Sequence, residues 1–427
     1  MRLRLKRLFH LTAYIPFGLL AEFAAILLLA LLYGALFSPA SRNPAPDGMD
    51  IEPLRQLITD PQITLSGLEH ERLAGAILAA RVGLQDYGHI PTWNPFVSTG
   101  VPLINNGFNY LFNPFHSLPM LLLGGVQGSK LAIFIAVIIA GCNMWALARV
   151  VGLGAAARVF TAALYMMSGG IAGKIFTGHF QLAMSLAWPP LVLAALWWML
   201  HSRRRLAPVA LAVAFMLLFF AGNIYYVLHT LLCCAVITAA HLVERHHGRW
   251  HLRRDRLWRV AIAGVLAFGL AAPLFFPIWE TRDFVAHARQ VIHPEGRLAG
   301  SYSLGQAFAN LTYPWPNWTT FEASNSEIYV AVDYAYIGPT VFLLITLTAI
   351  AALSGWLSGA RYRRVSLIAL LLALLLMVWG SGQTPILEWL YSQVDLLAEF
   401  RFLGRALSIA ALWWILLAGI AVDLLWR

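Results

Sequence analysis

Long apolar runs separated by shorter polar connectors recur along the whole chain. About 20 helical residues are enough to cross the roughly 30 Å of hydrocarbon in a bilayer. Runs of about that length occupy residues 14–37, 129–148, 157–176, 180–200, 206–222, 224–243, 260–279, 335–355, 364–380 and 405–426. The pattern predicts an all-α polytopic membrane protein with about ten transmembrane helices, organised as a single domain over residues 1–427.

Composition and charge support the same class. Of the 427 residues, 59% are hydrophobic and only 12% are charged, which excludes a soluble globular domain of this length. If the first helix starts in the cytoplasm, 19 of the 30 Lys and Arg residues lie in cytoplasmic connectors, and 16 of the 20 acidic residues lie in outer ones. Basic residues accumulate on the cytoplasmic side of membrane proteins. The positions of the basic residues therefore predict a cytoplasmic N-terminus. They also explain the net charge of +10 by membrane topology, which predicts a lipid bilayer as partner and no nucleic acid.

Three outer loops are predicted, at residues 38–128, 280–334 and 381–404. In the first loop, Leu68 to Gln85 carries apolar residues three or four positions apart, at Leu73, Ile77, Ala80 and Leu84. This spacing predicts a helix lying along the membrane interface. The following segment, His89 to Pro119, is rich in Pro, Asn and aromatic residues and predicts irregular structure.

Acidic residues in the first outer loop are candidates for chemistry. Glu69, His70 and Glu71 open the predicted interfacial helix, where a carboxylate could act as a base or hold a divalent cation. Ser66 and Glu69 also match a capping box, which would give Glu69 a purely structural role. Glu71 is therefore the preferred base, while Asp50 belongs to a second acidic group that a solvated loop also explains.

Basic and polar groups occur near other predicted helix ends. Arg401 and Arg405 are four residues apart and share a helix face, which suits bidentate binding of a phosphate as well as simple snorkelling to the interface. His179 lies in a tight outer connector one turn after Lys174, as a site residue or an ordinary hairpin residue. Glu22 within the first helix is either functional or an interhelical contact. The three cysteines show no metal-binding spacing.

Several short motifs resemble one known family. Gly88-His89-Ile90-Pro91-Thr92-Trp93-Asn94-Pro95 and Gly100-Val101-Pro102-Leu103 resemble the signature of bacterial YfhO-type membrane proteins, which belong with the GT-C glycosyltransferases. Further stretches are similar to the family in the same order along the chain: Gly178-His179, Ala187-Trp188-Pro189-Pro190, Tyr334-Ala335-Tyr336-Ile337-Gly338-Pro339 and Phe400-Arg401-Phe402-Leu403-Gly404-Arg405.

The resemblance implies a GT-C-like fold in which an acidic residue of the first outer loop acts as base or positions the acceptor and a Mg or Mn ion. It implies these roles: Glu71, Glu69 and Asp50 as catalytic carboxylates; Glu69 and Glu71 as metal ligands; Arg401 and Arg405 on the donor phosphate; His179, His70, Trp93 and Asn94 in the acceptor or substrate pocket. Family members carry an Asp where this chain has Glu69-His70-Glu71, and a Gln near Gly222, where this chain reads Asn223.

The leading hypothesis is an inverting glycosyltransferase of the bacterial cytoplasmic membrane, with its active face on the periplasmic or extracellular side. It would move a sugar from a polyprenyl-phosphate donor to an envelope glycan, lipid or protein. One alternative is a transporter or flippase of lipid-linked glycans, which predicts more ionisable residues within the helices than Glu22. Another is a non-catalytic member of an envelope-assembly complex.

Overall fold

The computed structural model describes residues 17–37, 66–95, 100–104, 110–176, 179–246, 249–281, 303–312, 334–355, 360–382, 387, 389, 393 and 403–426. The helices there, in chain order, are α1 Phe17–Phe37, α2 Ser66–Tyr87, α3 Pro114–Leu123, α4 Gly125–Val151, α5 Ala155–Met166, α6 Gly169–Phe176, α7 Phe180–Ser185, α8 Pro189–His201, α9 Ala207–Phe220, α10 Ile224–Leu242, α11 Arg254–Thr281, α12 Leu304–Thr312, α13 Pro339–Leu353, α14 Ala360–Ser381 and α15 Ala406–Trp426. A 3-10 turn, Leu403–Arg405, precedes α15.

Two small antiparallel hairpins complete the described secondary structure. Strand β1, Trp93–Asn94, pairs with β2, Val101–Pro102. Strand β3, Val243–His246, pairs with β4, Arg249–Leu252, and connects α10 to α11.

The all-α membrane class is confirmed by the length and composition of the helices. Seven helical stretches in the described part of the chain are long and apolar enough to cross a membrane: Gln127–Val151, Ala155–Ile175, Phe180–His201, Ile224–Leu242, Arg254–Glu280, Tyr362–Ser381 and Leu403–Trp426. The three remaining predicted spans contain shorter apolar stretches: Gly18–Gly34, Ala207–Phe220 and Pro339–Leu353. Every predicted span therefore holds an apolar helix, and seven of them meet the length of a full crossing.

Helix α15 runs through the middle of the bundle. All its residues from Ala406 to Ala421 are buried, as expected for a helix that is apolar on every side and surrounded by protein. Close approach of α5 requires Gly419, because a Cβ atom there would lie 2.2 Å from Cγ2 of Thr161. The bundle has two ends, named here the Arg405 end and the Asp423 end, which are about 27 Å apart along the helix axis.

Polar contacts at the Asp423 end connect helices that are distant in sequence. Oδ1 of Asp423 accepts the Gly154 N–H at 2.8 Å, and Oδ2 accepts the Tyr362 hydroxyl at 2.6 Å. Glu22 in α1 accepts hydrogen bonds from Arg158 and from the indole of Trp145. The interhelical reading of Glu22 is thus the one that the geometry describes.

Two of the membrane stretches are interrupted, Ala155–Ile175 between α5 and α6 and Phe180–His201 between α7 and α8. Buried side chains bond backbone groups at the second of these breaks and at the turn between α9 and α10. In the hydrocarbon region an unsatisfied carbonyl costs several kcal/mol, so a break needs such donors. Four donors serve these two places: Tyr165 to Leu186 O at 2.7 Å, Asn143 to Ala187 O at 2.8 Å, Ser185 to Ala221 O at 2.8 Å, and Gln181 to Gly222 O.

The predicted helix of the first outer loop is present as α2, but its buried face differs from the predicted one. Ile77 and Ala80 are buried, whereas Leu84 is 40% exposed, and the Leu73 side chain lies outside the described part. Helix α2 packs against α3 and α4. Protein neighbours therefore cover part of its apolar face, and its position along the membrane interface stays a prediction.

The prediction of irregular structure up to Pro119 was wrong for its last six residues, because α3 begins at Pro114. Proline is compatible with the first helical turn, where its missing N–H has no partner to lose. Asn113 caps the helix by accepting the Phe115 N–H at 3.2 Å. The side chain of Asn113 also donates to Leu217 O at 3.0 Å, which fastens the start of α3 to the end of α9.

Candidate functional site

The motif around Trp93 forms a small hairpin clamped against α2. Pro91 rests on Gly83 of α2, where a Cβ atom would approach the proline ring to 2.4 Å. The Trp93 ring covers Gly100, whose φ of +99° and missing Cβ both favour glycine, since a Cβ would lie 2.2 Å from Nε1. The motif thus has a structural explanation that is independent of catalysis.

The two predicted pocket residues of this hairpin differ in exposure. Trp93 is 49% exposed, so its ring is available to lipid or substrate. Asn94 is only 2% exposed and is a buried residue of the hairpin. Of the pair, Trp93 fits the predicted role in a substrate pocket better.

The predicted carboxylates lie only partly within the described structure. Glu69, His70 and Glu71 belong to the first turns of α2, but their side chains are outside the described part. Asp50 and Arg401 lie outside the described residues altogether. The base and the metal ligands therefore stay predictions. Among the side chains that are described, no group of three or more His, Cys, Asp or Glu residues could hold a metal ion.

The Arg405 end carries a group of buried and half-buried polar residues, named here the cationic cluster: Lys174, Tyr225, His229, Arg405 and Ser408. Lys174, near the end of α6, is fully buried and donates from Nζ to Ser408 Oγ at 2.8 Å. The guanidinium carbon of Arg405 lies 4.5 Å from the centre of the Tyr225 ring. Because Ser408 follows Arg405 by about one helical turn, cations from two distant parts of the chain lie at this end of the bundle.

Helix α10 contributes the neutral half of the cationic cluster. His229 lies one turn after Tyr225, so the two share a helix face. His229 and Thr230 are both buried, and neither His229 Nδ1 nor Thr230 Oγ1 has a hydrogen-bond partner in the described part of the chain. Buried polar atoms in proteins are nearly always bonded, so this face of α10 is suited to polar groups of a ligand.

His179 joins the cationic cluster through the backbone. Its N–H donates to Lys174 O at 2.8 Å, and its side chain is half-buried. The structure therefore brings two predicted site residues, His179 and Arg405, to the same end of the bundle. It adds Lys174, which the sequence interpretation had mentioned only as a neighbour of His179.

The motif Tyr334–Pro339 packs against the start of α6. The Gly169 N–H donates to Tyr336 O at 2.8 Å, and a Cβ on Gly169 would lie 2.8 Å from the Tyr334 ring. The rings of Tyr334 and Tyr336 stack with centroids 5.9 Å apart, and burial raises the pKa of the Tyr334 hydroxyl. Asn310 of α12 accepts the Ala335 N–H at 2.9 Å. This motif thus positions the helix that carries Lys174.

The distribution of buried charge along the bundle is uneven. The buried carboxylates of the described residues are Glu22 and Asp423, and both lie at the Asp423 end. Lys174 and Arg405 lie at the opposite end. Positive charge in a medium of low dielectric constant interacts strongly with nearby charges, so an anionic ligand would suit this end of the bundle.

Lys174, His229 and Ser408 were missed as site residues by sequence reasoning. A lysine inside the apolar run 157–176 was a usable signal, because charged residues inside membrane helices are rare and usually functional. No signal indicated His229 or Ser408, whose importance depends on which helices are neighbours. No protein-family model, curated protein or solved structure matches this chain.

Proposed function

We propose that this chain is an inverting, GT-C-like membrane glycosyltransferase that transfers a sugar from a polyprenyl-phosphate donor to a cell-envelope acceptor. The observation that carries the proposal is the cationic cluster, in which fully buried Lys174 and half-buried Arg405 lie at one end of the bundle. A lipid-linked phosphate is an anion that reaches such a site from the bilayer.

The donor phosphate is the leaving group of the proposed reaction. As the bond between the sugar C1 and the phosphate oxygen breaks, negative charge grows on that oxygen. Positioned cations stabilise such charge strongly in a site that excludes water. Arg405 matches two phosphate oxygens with its planar fork, and Lys174 supplies a point charge. Arg401, four residues before Arg405, would extend this side of the site.

The acceptor hydroxyl attacks C1 from the face opposite the phosphate, which inverts the configuration of that carbon. Glu71, with Glu69 and Asp50 as alternatives, takes the hydroxyl proton as general base. Carboxylate oxygens also suit Mg²⁺ or Mn²⁺, so Glu69 and Glu71 are the residues that would hold such an ion. Trp93 and His179 would contact the acceptor. His70, which lies between Glu69 and Glu71 in the sequence, would do so as well.

The proposed orientation places the Arg405 end on the outer face of a bacterial cytoplasmic membrane and the Asp423 end in the cytoplasm. Support comes from the basic residues around the Asp423 end, among them Arg149, Arg158, Arg256 and Arg364. Lys and Arg are enriched on the cytoplasmic side.

A transporter or flippase of lipid-linked glycans is the second candidate, and one observation favours it. The described membrane-spanning helices bury more charged and histidine side chains than Glu22 alone, namely Lys174, His229, His241 and Asp423. Glu22 and Asp423 have interhelical partners that explain their burial. Lys174 and His229 belong to the cationic cluster, which either function would use to hold a lipid phosphate.

The test separates the two functions. Purified protein in nanodiscs is incubated with radiolabelled polyprenyl-phosphate sugars and an envelope extract as acceptor, and product is counted. Arg405→Gln is compared with Arg149→Gln, a matched control, because Arg149 also lies over an aromatic ring, 5.1 Å from the centre of Trp145. We expect Arg405→Gln to lower transfer about 100-fold and Arg149→Gln to leave it unchanged.

Two results would decide against this function. Equal loss in both arginine variants would mean that the effect is structural. Absence of transfer with every donor, together with movement of a fluorescent lipid-linked glycan across proteoliposomes, would identify the transporter instead.

A further inference from the structure

Two histidines from different helices meet at the Asp423 end. His201 is the last residue of α8, and His241 lies in the last turn of α10. Their ring centroids are 5.0 Å apart and the ring planes are inclined by 79°. Trp197 contacts both, stacked on His201 at 5.4 Å and edge-on to His241 at 5.0 Å. The indole therefore fixes the relative position of the two imidazoles.

Hydrogen bonds determine which nitrogen of each ring carries the proton. Nδ1 of His201 lies 2.8 Å from Trp197 O, and Nδ1 of His241 lies 2.8 Å from Ile237 O. A carbonyl oxygen can only accept, so each Nδ1 carries a hydrogen and Nε2 of the neutral ring carries a lone pair. Metal-bound histidines show this arrangement, in which one nitrogen donates to a carbonyl and the other binds the ion.

The second nitrogen of His241 has no hydrogen-bond partner among the described residues. The side chain is only 1% exposed, and Nε2 is fully buried. A buried acceptor without a partner is unfavourable. A ligand that accepts this lone pair would remove that cost.

We propose that His201 and His241 bind a divalent transition metal ion, Zn²⁺ in the first place, through their Nε2 atoms. Two imidazoles bound to one tetrahedral zinc at about 2.1 Å place their ring centroids about 5 Å apart. The observed separation of 5.0 Å matches this value. His201 is the exposed member of the pair, at the end of α8, so an ion could reach the pair from that side.

Two arginines near the site are directed at backbone carbonyls. Arg256 donates to His241 O at 2.5 Å, and Arg364 donates to Ala240 O. These are carbonyls of the last turn of α10, where the helix dipole is negative. Part of the positive charge is therefore offset by the helix end, which lowers its repulsion of a metal ion.

The hairpin that follows α10 is rich in the same types of ligand. Its register pairs Glu244 with His251, and the sequence between them adds His246 and His247. Short histidine-rich tracts are typical of metal binding. This hairpin begins two residues after His241 along the chain.

The test measures zinc binding to the full-length protein, purified in detergent with an affinity tag that lacks histidine and stripped with a chelator. Competition with a chromophoric chelator gives the affinity, elemental analysis gives the stoichiometry, and Co²⁺ absorption reports nitrogen ligands. Wild type is compared with His201→Gln and His241→Gln. The control is His89→Gln, an exposed histidine whose Nδ1 lies 3.0 Å from Tyr87 O.

We expect one zinc per chain, at least tenfold weaker binding in either variant of the pair, and no change in the control. Zinc should also raise the Tm of wild type but not that of His201→Gln. His201 is exposed, so its replacement should not disturb the fold, and the loss of the Tm shift would report lost binding. The proposal fails if wild type shows no saturable binding or if both variants bind as tightly as wild type. It also fails if substitution of Glu244, His246 and His251 alone abolishes binding, because the ion would then belong to the hairpin.

Discussion

Oε1 of Glu22 lies 2.5 Å from Nη2 of Arg158, although the two residues are 136 positions apart in the chain. Both side chains are largely buried, and Trp145 donates a further hydrogen bond to the same carboxylate at 2.6 Å. The ion pair connects α1 to the α4–α5 hairpin. This ion pair therefore stabilises the packing of the first helix in the bundle.

Replacement of Glu22 by Gln should destabilise the protein by about 3–5 kcal/mol, because it leaves the Arg158 charge buried without its counter-ion. Thermal unfolding in detergent measures the change. Asp255→Asn is the matched control, since the Asp255–Arg253 pair is solvent-exposed at 3.1 Å and should contribute less than about 1 kcal/mol. Similar shifts for both variants would contradict the assignment of Glu22 as a buried structural contact.

Gly100→Ala should disrupt the hairpin of β1 and β2, because the new Cβ would collide with Trp93 and the backbone has φ of +99°. Gly88→Ala separates strain from collision: Gly88 has φ of +72°, but nothing lies within 4 Å of its Cβ position. We expect about 1–3 kcal/mol from strain at either position, and additional loss only at Gly100. Hydrogen exchange of residues 93–102 reports the opening. Equal exchange in both variants would refute the predicted collision.

Gly419→Val should separate α15 from α5, since a Cβ at this position already approaches Thr161 Cγ2 to 2.2 Å. The matched control is Gly264→Val on α11, where nothing lies within 4 Å of the Cβ position. The Tm in detergent should fall strongly for Gly419→Val and little for the control. Addition of Thr161→Ser, which removes the contacting methyl group, should restore part of the loss; a double variant as unstable as the single one would place the clash elsewhere.

His116 of α3 should make stability depend on pH. Burial lowers its pKa to about 3, whereas the unfolded chain has the ordinary value of about 6.5. Above pH 6.5 both states are neutral at this ring and stability is unaffected. As pH falls from 6.5 towards 3, only the unfolded state gains the proton, so stability should decrease by about 2 kcal/mol between pH 7 and pH 5.

His116→Gln tests this dependence. The amide oxygen can still accept the Trp188 indole N–H, which lies 3.4 Å from His116 Nε2. The variant should therefore unfold with a smaller pH dependence over that window, measured as Tm in detergent at several pH values. If wild type and variant lose stability in parallel, another group is responsible.

Hydropathy was sufficient to locate the helices but not their neighbours. Each of the ten predicted spans contains an apolar helix, because the length of hydrocarbon sets the length of the run. The break after α7, inside the predicted span 180–200, was not predicted, because it depends on donors such as Tyr165 and Asn143 that come from other helices. The helix at Pro114 was missed because proline was interpreted as a breaker, although it starts a helix well.

The residues of the candidate site also form two groups, those that the sequence indicated and those that only the structure brings together. Arg405 and His179 were selected from the sequence because polar groups near the ends of apolar runs are conspicuous. The contact of Lys174 with Ser408 spans 234 residues, and the His201–His241 pair joins two helices across 40 positions. No periodicity in a single segment contains that information. The roles of Glu69, Glu71, Asp50 and Arg401 stay predictions.

The central position of α15 also has a consequence for the order of synthesis. Helix α15 comes after every helix that it contacts, so the ribosome produces the axis of the bundle after the helices around it. Synthesis of the 234 residues from Lys174 to Ser408 takes about 10–50 s at typical rates of elongation. During that interval a lysine in an apolar helix has no Ser408 to bond. Until α15 enters the membrane, water, lipid headgroups or the insertion machinery must therefore provide polar partners for the lysine of nascent α6.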